Sequence, residues 1–216
     1  MTDDVATKID DFFARYPVRT YSKGQILVMA GDKVGYVYNL VEGKVKQYDV
    51  TYRGDEVILN IFKPPAFFPM SLAINKAENP YIYEADTALK LRQAPADEAV
   101  AFIKDNPGVM FDLLSRVYRG ADGLLGRMTH LMGSSAKSRL IYELLLEGRR
   151  FGKLGNDGSC TIDISEKDLG ARAGLSRETV SRELHNLKVE KLVTLSPKQI
   201  GISSLPKLEK KLGQEV

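Results

Sequence analysis

The chain has 216 residues, 44% of them hydrophobic and 27% charged, with a formal net charge of +3. Such values belong to an ordinary globular protein of one or two domains, each long enough to bury a core. They exclude a spanning helix, because no apolar run approaches the roughly 20 residues that a bilayer requires. The acidic opening MTDDVATKIDDFF also lacks the plan of a signal peptide, so a cytoplasmic protein without a membrane partner is expected.

Taken in order, Val5, Ile9, Phe12, Phe13 and Tyr16 recur at helical spacing until Pro17 stops the run. From Val18 to about Leu91 the period becomes that of strands. Segments 25–29, 36–41, 44–50, 57–62 and 81–84 are separated by Gly24, Gly31-Asp32, Glu42-Gly43, Gly54-Asp55 and Asn79-Pro80. Short strands at that spacing predict an antiparallel barrel or sandwich, with Gly54-Asp55 at a hairpin tip. Residues 97–106 read as a short helix ending before Pro107. A long helix follows over about 107–132, where Met110, Leu114, Val117, Ala121, Leu124, Met128 and Leu131 alternate spacings of four and three. That is a heptad seam. It predicts a parallel coiled coil between two copies, against the alternative of a core helix within one subunit. Gly120, Gly123 and Gly126 weaken the isolated helix and imply support by packing.

Gly133-Ser134-Ser135 marks the expected hinge between an N-terminal domain, 1–133, and a C-terminal domain, 134–216. An amphipathic helix over 138–146 comes next, with Leu140, Ile141, Leu144 and Leu145 inward, then a polar loop over 148–158 and a strand at 160–164. Within 165–184, Ser165 can cap one helix with Asp168 placed as in a capping box. Gly174 supplies a left-handed turn. Ser176 caps a second helix whose inner face is Val180, Leu184 and Leu187. Its other face offers Arg177, Glu178, Ser181 and Arg182 in the first two turns, the surface a helix-turn-helix needs to read base edges. The rival reading is a helical hairpin with a solvated charged face. Residues 192–202 form two short strands about a Ser196-Pro197-Lys198 turn, and 205–212 a closing basic helix.

Residues 134–216 carry 15 Lys/Arg against 11 Asp/Glu, while 1–133 carry 16 against 17. The positive excess therefore lies with the helix-turn-helix, as phosphate attraction requires. The single cysteine, Cys160, excludes an internal disulfide and reads as a small buried hydrophobe. His130 and His185 lack metal-ligand spacing. No nucleophile–base pair, metal cluster or phosphate-cradling glycine loop suggests an enzyme, and no metal or covalent cofactor is expected.

A glycine-punctuated β-roll, a long dimerising helix, a hinge and a winged helix-turn-helix together resemble the cyclic-AMP receptor protein/FNR family of bacterial transcription regulators. In the N-terminal part the resemblance rests on Tyr21-Ser-Lys-Gly24, Gly31-Asp32, Tyr38, Glu42-Gly-Lys-Val45 and Gly54. In the C-terminal part it rests on Arg139-Leu140, Leu169, the run Gly174-Leu-Ser-Arg-Glu-Thr-Val-Ser-Arg182 and Leu192-Val193. It implies an α+β chain whose N-terminal antiparallel β-roll is like a cyclic-nucleotide-binding domain. It further implies a homodimer that binds double-stranded DNA at an inverted repeat, and RNA polymerase as a partner. Arg177 and Arg182 would donate to guanine, and Glu178 would accept from cytosine. Ser176 would cap that helix and Ser181 would touch a base or phosphate, with Lys188, Lys191 and Lys198 as phosphate contacts.

The ligand side departs from the family pattern. Pro69-Met70 stands where cyclic-nucleotide binders have Gly-Glu, and Asn79-Pro80-Tyr81 where they have Arg-Ser. Without that arginine nothing local grips a cyclic phosphate bidentately. Leu124 and Leu125 replace the polar residues that meet the purine. One cysteine disfavours an iron–sulfur sensor, and the absence of a histidine from the β domain disfavours a haem sensor. A nucleotide effector is still expected, a cyclic dinucleotide rather than cyclic AMP. Met70, Ser71, Tyr81, Tyr83, Arg116 and Arg119 are its candidate contacts, the tyrosines to stack and the arginines to meet phosphate. The competing readings are that these tyrosines are strand packing and these arginines heptad flanks, that the pocket is degenerate, or that the winged helix is a protein interface.

Overall fold

The computed structural model describes residues 3–156, 158–196 and 199–214. They form two compact units, Met1–Arg119 and Gly120–Val216. The first holds α1 (Asp3–Ala14), β1 (Val18–Tyr21), β2 (Ile26–Val28), β3 (Tyr36–Glu42), β4 (Val45–Val50), β5 (Glu56–Phe62), β6 (Ala66–Phe68), α2 (Met70–Asn75), β7 (Ile82–Ala85), β8 (Leu89–Pro95), α3 (Ala96–Asp105) and the start of α4 (Pro107–Gly133).

Two four-stranded antiparallel sheets, ordered β1-β8-β3-β6 and β2-β7-β4-β5, make the roll. Alternation along each strand sends one face inward. Tyr38, Leu40, Phe68, Leu89 and Leu91 from the first sheet meet Val28, Val45, Tyr83 and Ala85 from the second in one buried cluster. Aromatic rings dominate it. Phe68 stacks on Tyr38, Phe62 and Tyr83 at centroid distances of 5.6, 4.7 and 5.6 Å. A second cluster joins α1, α2 and α3 to the first sheet through Ile9, Phe13, Met70, Ala94 and Ile103. Phe12 lies flat on Phe102 there, with centroids 4.2 Å apart.

The strand period is borne out at β2 to β5, and β7 runs one residue beyond the expected 81–84. Four elements escape the pattern. β1 pairs with β8 but is exposed at Val18, Arg19 and Thr20, so its sequence has no buried alternation to detect. β6 and α2 are three and six residues long, set among Pro64, Pro65 and Pro69, and proline-rich sequence reads as turn. β8, Leu89–Pro95, extends well beyond the expected end of the β region.

The second unit holds the rest of α4, then α5 (Ala136–Phe151), β9 (Lys153–Leu154), β10 (Cys160–Ile162), α6 (Glu166–Ala173), α7 (Arg177–Val189), β11 (Val193–Ser196), β12 (Gln199–Ile202) and α8 (Leu205–Leu212). Its sheet is ordered β11-β12-β10-β9. Leu140, Ile141, Leu144, Ile162, Leu169, Val180, Leu184, Leu187, Ile202 and Leu208 share one core. The loop expected over 148–158 is corrected: α5 continues to Phe151, and Lys153–Leu154 pairs with β10. Gly148 does not end the helix, because a Cβ there would collide with Leu205 and press on Cys160. The glycine admits close packing rather than a turn. Cys160 itself is 1% exposed, the small buried hydrophobe expected.

The helix break falls at the expected place. α4 ends at Gly133, and Ser135 caps α5 by accepting from the Ser138 amide. The compact units divide earlier, between Arg119 and Gly120. The last turns of α4 pack on α5: the Tyr142 ring lies 4.3 Å from that of His130, and Arg127 pairs with Glu143.

Candidate nucleic-acid interface

The helix-turn-helix is assembled by local chemistry. The Ser165 hydroxyl accepts from the Asp168 amide at 3.0 Å and donates to the Asp168 carboxylate at 2.7 Å. The start of α6 is thus closed by a capping exchange. Gly174 takes φ 61, ψ 43, a left-handed conformation that costs an L side chain free energy. The Arg139 guanidinium donates to its carbonyl at 3.3 Å. The Ser176 hydroxyl accepts from the Thr179 amide at 3.3 Å and starts α7. Val180, Leu184 and Leu187 are fully buried beneath it.

That burial fixes which face of α7 meets solvent. Arg177, Glu178, Ser181 and Arg182 are all exposed, and they line one open concavity with Glu166, His185 and Asn186. Arg177 Nε lies 3.7 Å from the Glu166 carboxylate, and Arg182 Nε donates to Glu183 at 3.2 Å. The Glu178 carboxyl is held below the usual carboxylate range by its own backbone amide and by the Ser176 hydroxyl. It is therefore an anionic acceptor at neutral pH. Two guanidinium donors and one carboxylate acceptor on the first turns of a helix match guanine and cytosine edges in a major groove. Lys188 is exposed on the last turn of α7, and Lys191 just beyond it. Lys198 and Pro197 lie outside the described residues. His185 and Asn186 were legible in the sequence, since they continue the same face one turn beyond Ser181 and Arg182.

The candidate effector residues behave differently. Tyr83 is 2% exposed, and its ring stacks with those of Phe68 and Phe62 at centroid distances of 5.6 and 6.1 Å. Burial pushes its phenol up to about 12. Tyr81 packs beside the same cluster. Met70 is 6% exposed in the helical cluster, while Ser71, its neighbour, faces out. Arg116 pairs with Asp112 at 2.6 Å and donates to the Pro65 carbonyl at 2.7 Å. Arg119 is exposed. Strand packing thus accounts for the burial of Tyr83. A cavity of about 170 Å³ in this unit is bounded by Val28, Asp32, Lys33, Tyr36 and Tyr38 among others. It is smaller than the roughly 300 Å³ at the lower end of small-molecule sites. Among the described residues no group of three or more His, Cys, Asp or Glu is placed to hold a metal, and no helix is long and apolar enough to cross a membrane.

Comparison with known proteins agrees with this division. The family model for a cyclic nucleotide-binding domain matches residues 18–106, and that for a Crp-like helix-turn-helix domain matches 138–211. The chain is 29% identical over 194 residues to the global nitrogen regulator of Nostoc sp., covering 86% of this chain and 84% of that protein. It is 28% identical over 206 residues to the cyclic AMP receptor protein of Thermus thermophilus, covering 94% and 91%. Among solved structures, the c-di-GMP responsive global regulator CLP of Xanthomonas campestris superposes with a TM-score of 0.79 at 17% identity, covering 91% of this chain and 98% of that one. At that identity the likeness concerns the fold.

Proposed function

We infer the workings of this protein from one premise: the chain belongs to the cyclic-AMP receptor protein/FNR family of bacterial transcription regulators, and is a DNA-binding regulator rather than an enzyme. It acts as a homodimer that places α7 of each copy in successive major grooves of an inverted repeat. Arg177, Glu178 and Arg182 read base edges, Ser181 touches a base or phosphate, and Ser176 and Lys188 anchor the two ends of α7. The observation that carries this reading is the sharing of one exposed concavity by Arg177, Glu178, Ser181 and Arg182 while the opposite face of α7 is fully buried.

Homodimerisation is supported by the long helix. Met110, Leu114, Val117, Leu124, Met128 and Leu131 are 40–57% exposed in the single chain. A heptad seam that one subunit leaves uncovered fits a parallel coiled coil. Leu124→Glu at its centre should convert the dimer to monomer in native mass spectrometry; an unchanged dimer would remove the seam from the interface.

The effector is nucleotide-like, a cyclic dinucleotide rather than cyclic AMP. The cassette position carries Pro69-Met70 instead of an anion-binding pair, which disfavours a single cyclic phosphate. The regulator CLP, which shares the fold, is responsive to c-di-GMP. Ser71 and Arg119 are the outward-facing candidates to meet such a ligand. Binding would shift the pair of long helices and so bias the recognition helices, with RNA polymerase as the downstream partner. Two measurements test the whole. Fluorescence anisotropy across a salt series should show a palindromic duplex preferred to a scrambled one. Thermal-shift screening against cyclic mono- and dinucleotides should stabilise the protein with the latter; no shift with any nucleotide would remove the effector and leave the DNA reading standing.

A further inference from the structure

Two carboxylates in the unit Gly120–Val216 are almost out of water, Glu143 at 3% and Glu147 at 4% exposure. Both lie on α5, and each is met by an arginine from a different helix. Arg127 of α4 donates Nε to Glu143 Oε1 at 2.5 Å and Nη2 to Oε2 at 3.1 Å, a two-pronged grip. Arg172 of α6 donates Nη1 to Glu147 Oε2. Burial pushes the Glu143 carboxyl up, and the Arg127 hydrogen bonds pull it back. Arg150, also on α5, completes the charged set, its guanidinium pushed down by burial.

Burying charge is a poor way to hold helices together. Apolar residues of similar volume often stabilise such an interface as well or better, because ions lose their hydration. What the pairs add is direction. A guanidinium and a carboxylate joined by two parallel hydrogen bonds accept one geometry, whereas apolar side chains slide. The two-pronged Arg127–Glu143 pair therefore keys α5 to the long helix, and the single Arg172–Glu147 hydrogen bond ties it to the first helix of the helix-turn-helix. The recognition helix α7 follows α6 across the Gly174 turn.

We propose that Arg127–Glu143 and Arg172–Glu147 are positioning pairs that set the angle of the recognition helix against the long helix, and thereby the half-site spacing that the dimer accepts. This rests on the dimeric DNA-reading function above. Adding one base pair between half-sites moves the second site by about 3.4 Å along the duplex and turns it by about 35°. A reader keyed by directional pairs rejects that displacement. One held by sliding contacts tolerates it.

The test uses the full chain and a duplex selected by the wild-type protein from a random library. Affinity is measured by anisotropy for that duplex and for versions with one base pair added or removed at the centre. Thermal midpoints are recorded alongside. The Arg127→Met/Glu143→Leu pair leaves no orphaned charge, and Arg127→Lys keeps the charge while losing the two-pronged geometry. The wild type should prefer its own spacing by about tenfold or more, the scale of one wrong base pair. Both variants should keep the wild-type base preference within each half-site but lose most of the spacing preference, Arg127→Lys by the smaller amount. If the Met/Leu variant fails to fold, Arg127→Lys decides. Wild-type spacing preference in a folded variant, whatever its thermal midpoint, would overturn the proposal and leave a purely structural role. A wild type that selects no duplex would sink the parent reading of DNA recognition instead.

Discussion

The two units put their chemistry in opposite places. In the β-roll the side chains that could meet a nucleotide are largely spent on packing. Tyr83 stacks with Phe62 and Phe68, Met70 fills a helical cluster, and Arg116 holds the Pro65 carbonyl. In the helix-turn-helix the charged and polar candidates stand in water over a core that does not need them. A reading surface and a sensing interior thus face different constraints. An exposed face can keep charged residues at little cost to folding, whereas an inward face must satisfy the core before it can serve a ligand.

Four substitutions sharpen or break this contrast. Phe68→Ala removes the ring at the centre of the roll and should cost about 3–5 kcal/mol of stability. Calorimetry should show that loss; a loss below 1 kcal/mol would mean the stacked rings are not holding the roll. Arg177→Ala should leave the thermal midpoint nearly unchanged while weakening specific duplex binding by about 1–3 kcal/mol and relaxing preference at one base. Equal loss on random DNA would assign Arg177 to phosphate instead. Ser176→Ala, which strips the cap from α7, should destabilise by about 1 kcal/mol; no change in the denaturant midpoint would show that the hydroxyl does not contribute. The smallest effect is a pH slope. Burial pushes the Tyr83 phenol up to about 12, and burial with the Glu84 carboxylate does the same for Tyr48. An unfolded tyrosine ionises near 10. The folded state therefore favours the neutral phenols, and their stabilisation is whole below about pH 10 and lost as pH rises toward 12. Tyr83→Phe should flatten part of that alkaline decline in urea midpoints; an unchanged slope would show that Tyr83 is not its source.

Sequence alone determined the parts that depend on local backbone chemistry and on one-dimensional periodicity. The caps at Ser165 and Ser176, the left-handed turn at Gly174, the inner stripe Val180, Leu184 and Leu187 and the heptads of α4 all involve residues within a few positions of one another. The exposed set Arg177, Glu178, Ser181 and Arg182 follows from the same arithmetic, since burying one side of a helix exposes the other. Tertiary structure alone decided matters between segments far apart in the chain. It paired exposed β1 with β8, packed Gly148 against Cys160 and Leu205, and set Tyr83 against the rings of Phe62 and Phe68. It also brought Arg127 to Glu143 and Arg172 to Glu147, contacts that no spacing rule foretells. The physical reason is that helix period and capping are short-range, whereas the fate of an inward-pointing side chain depends on which distant segments fill the space beside it.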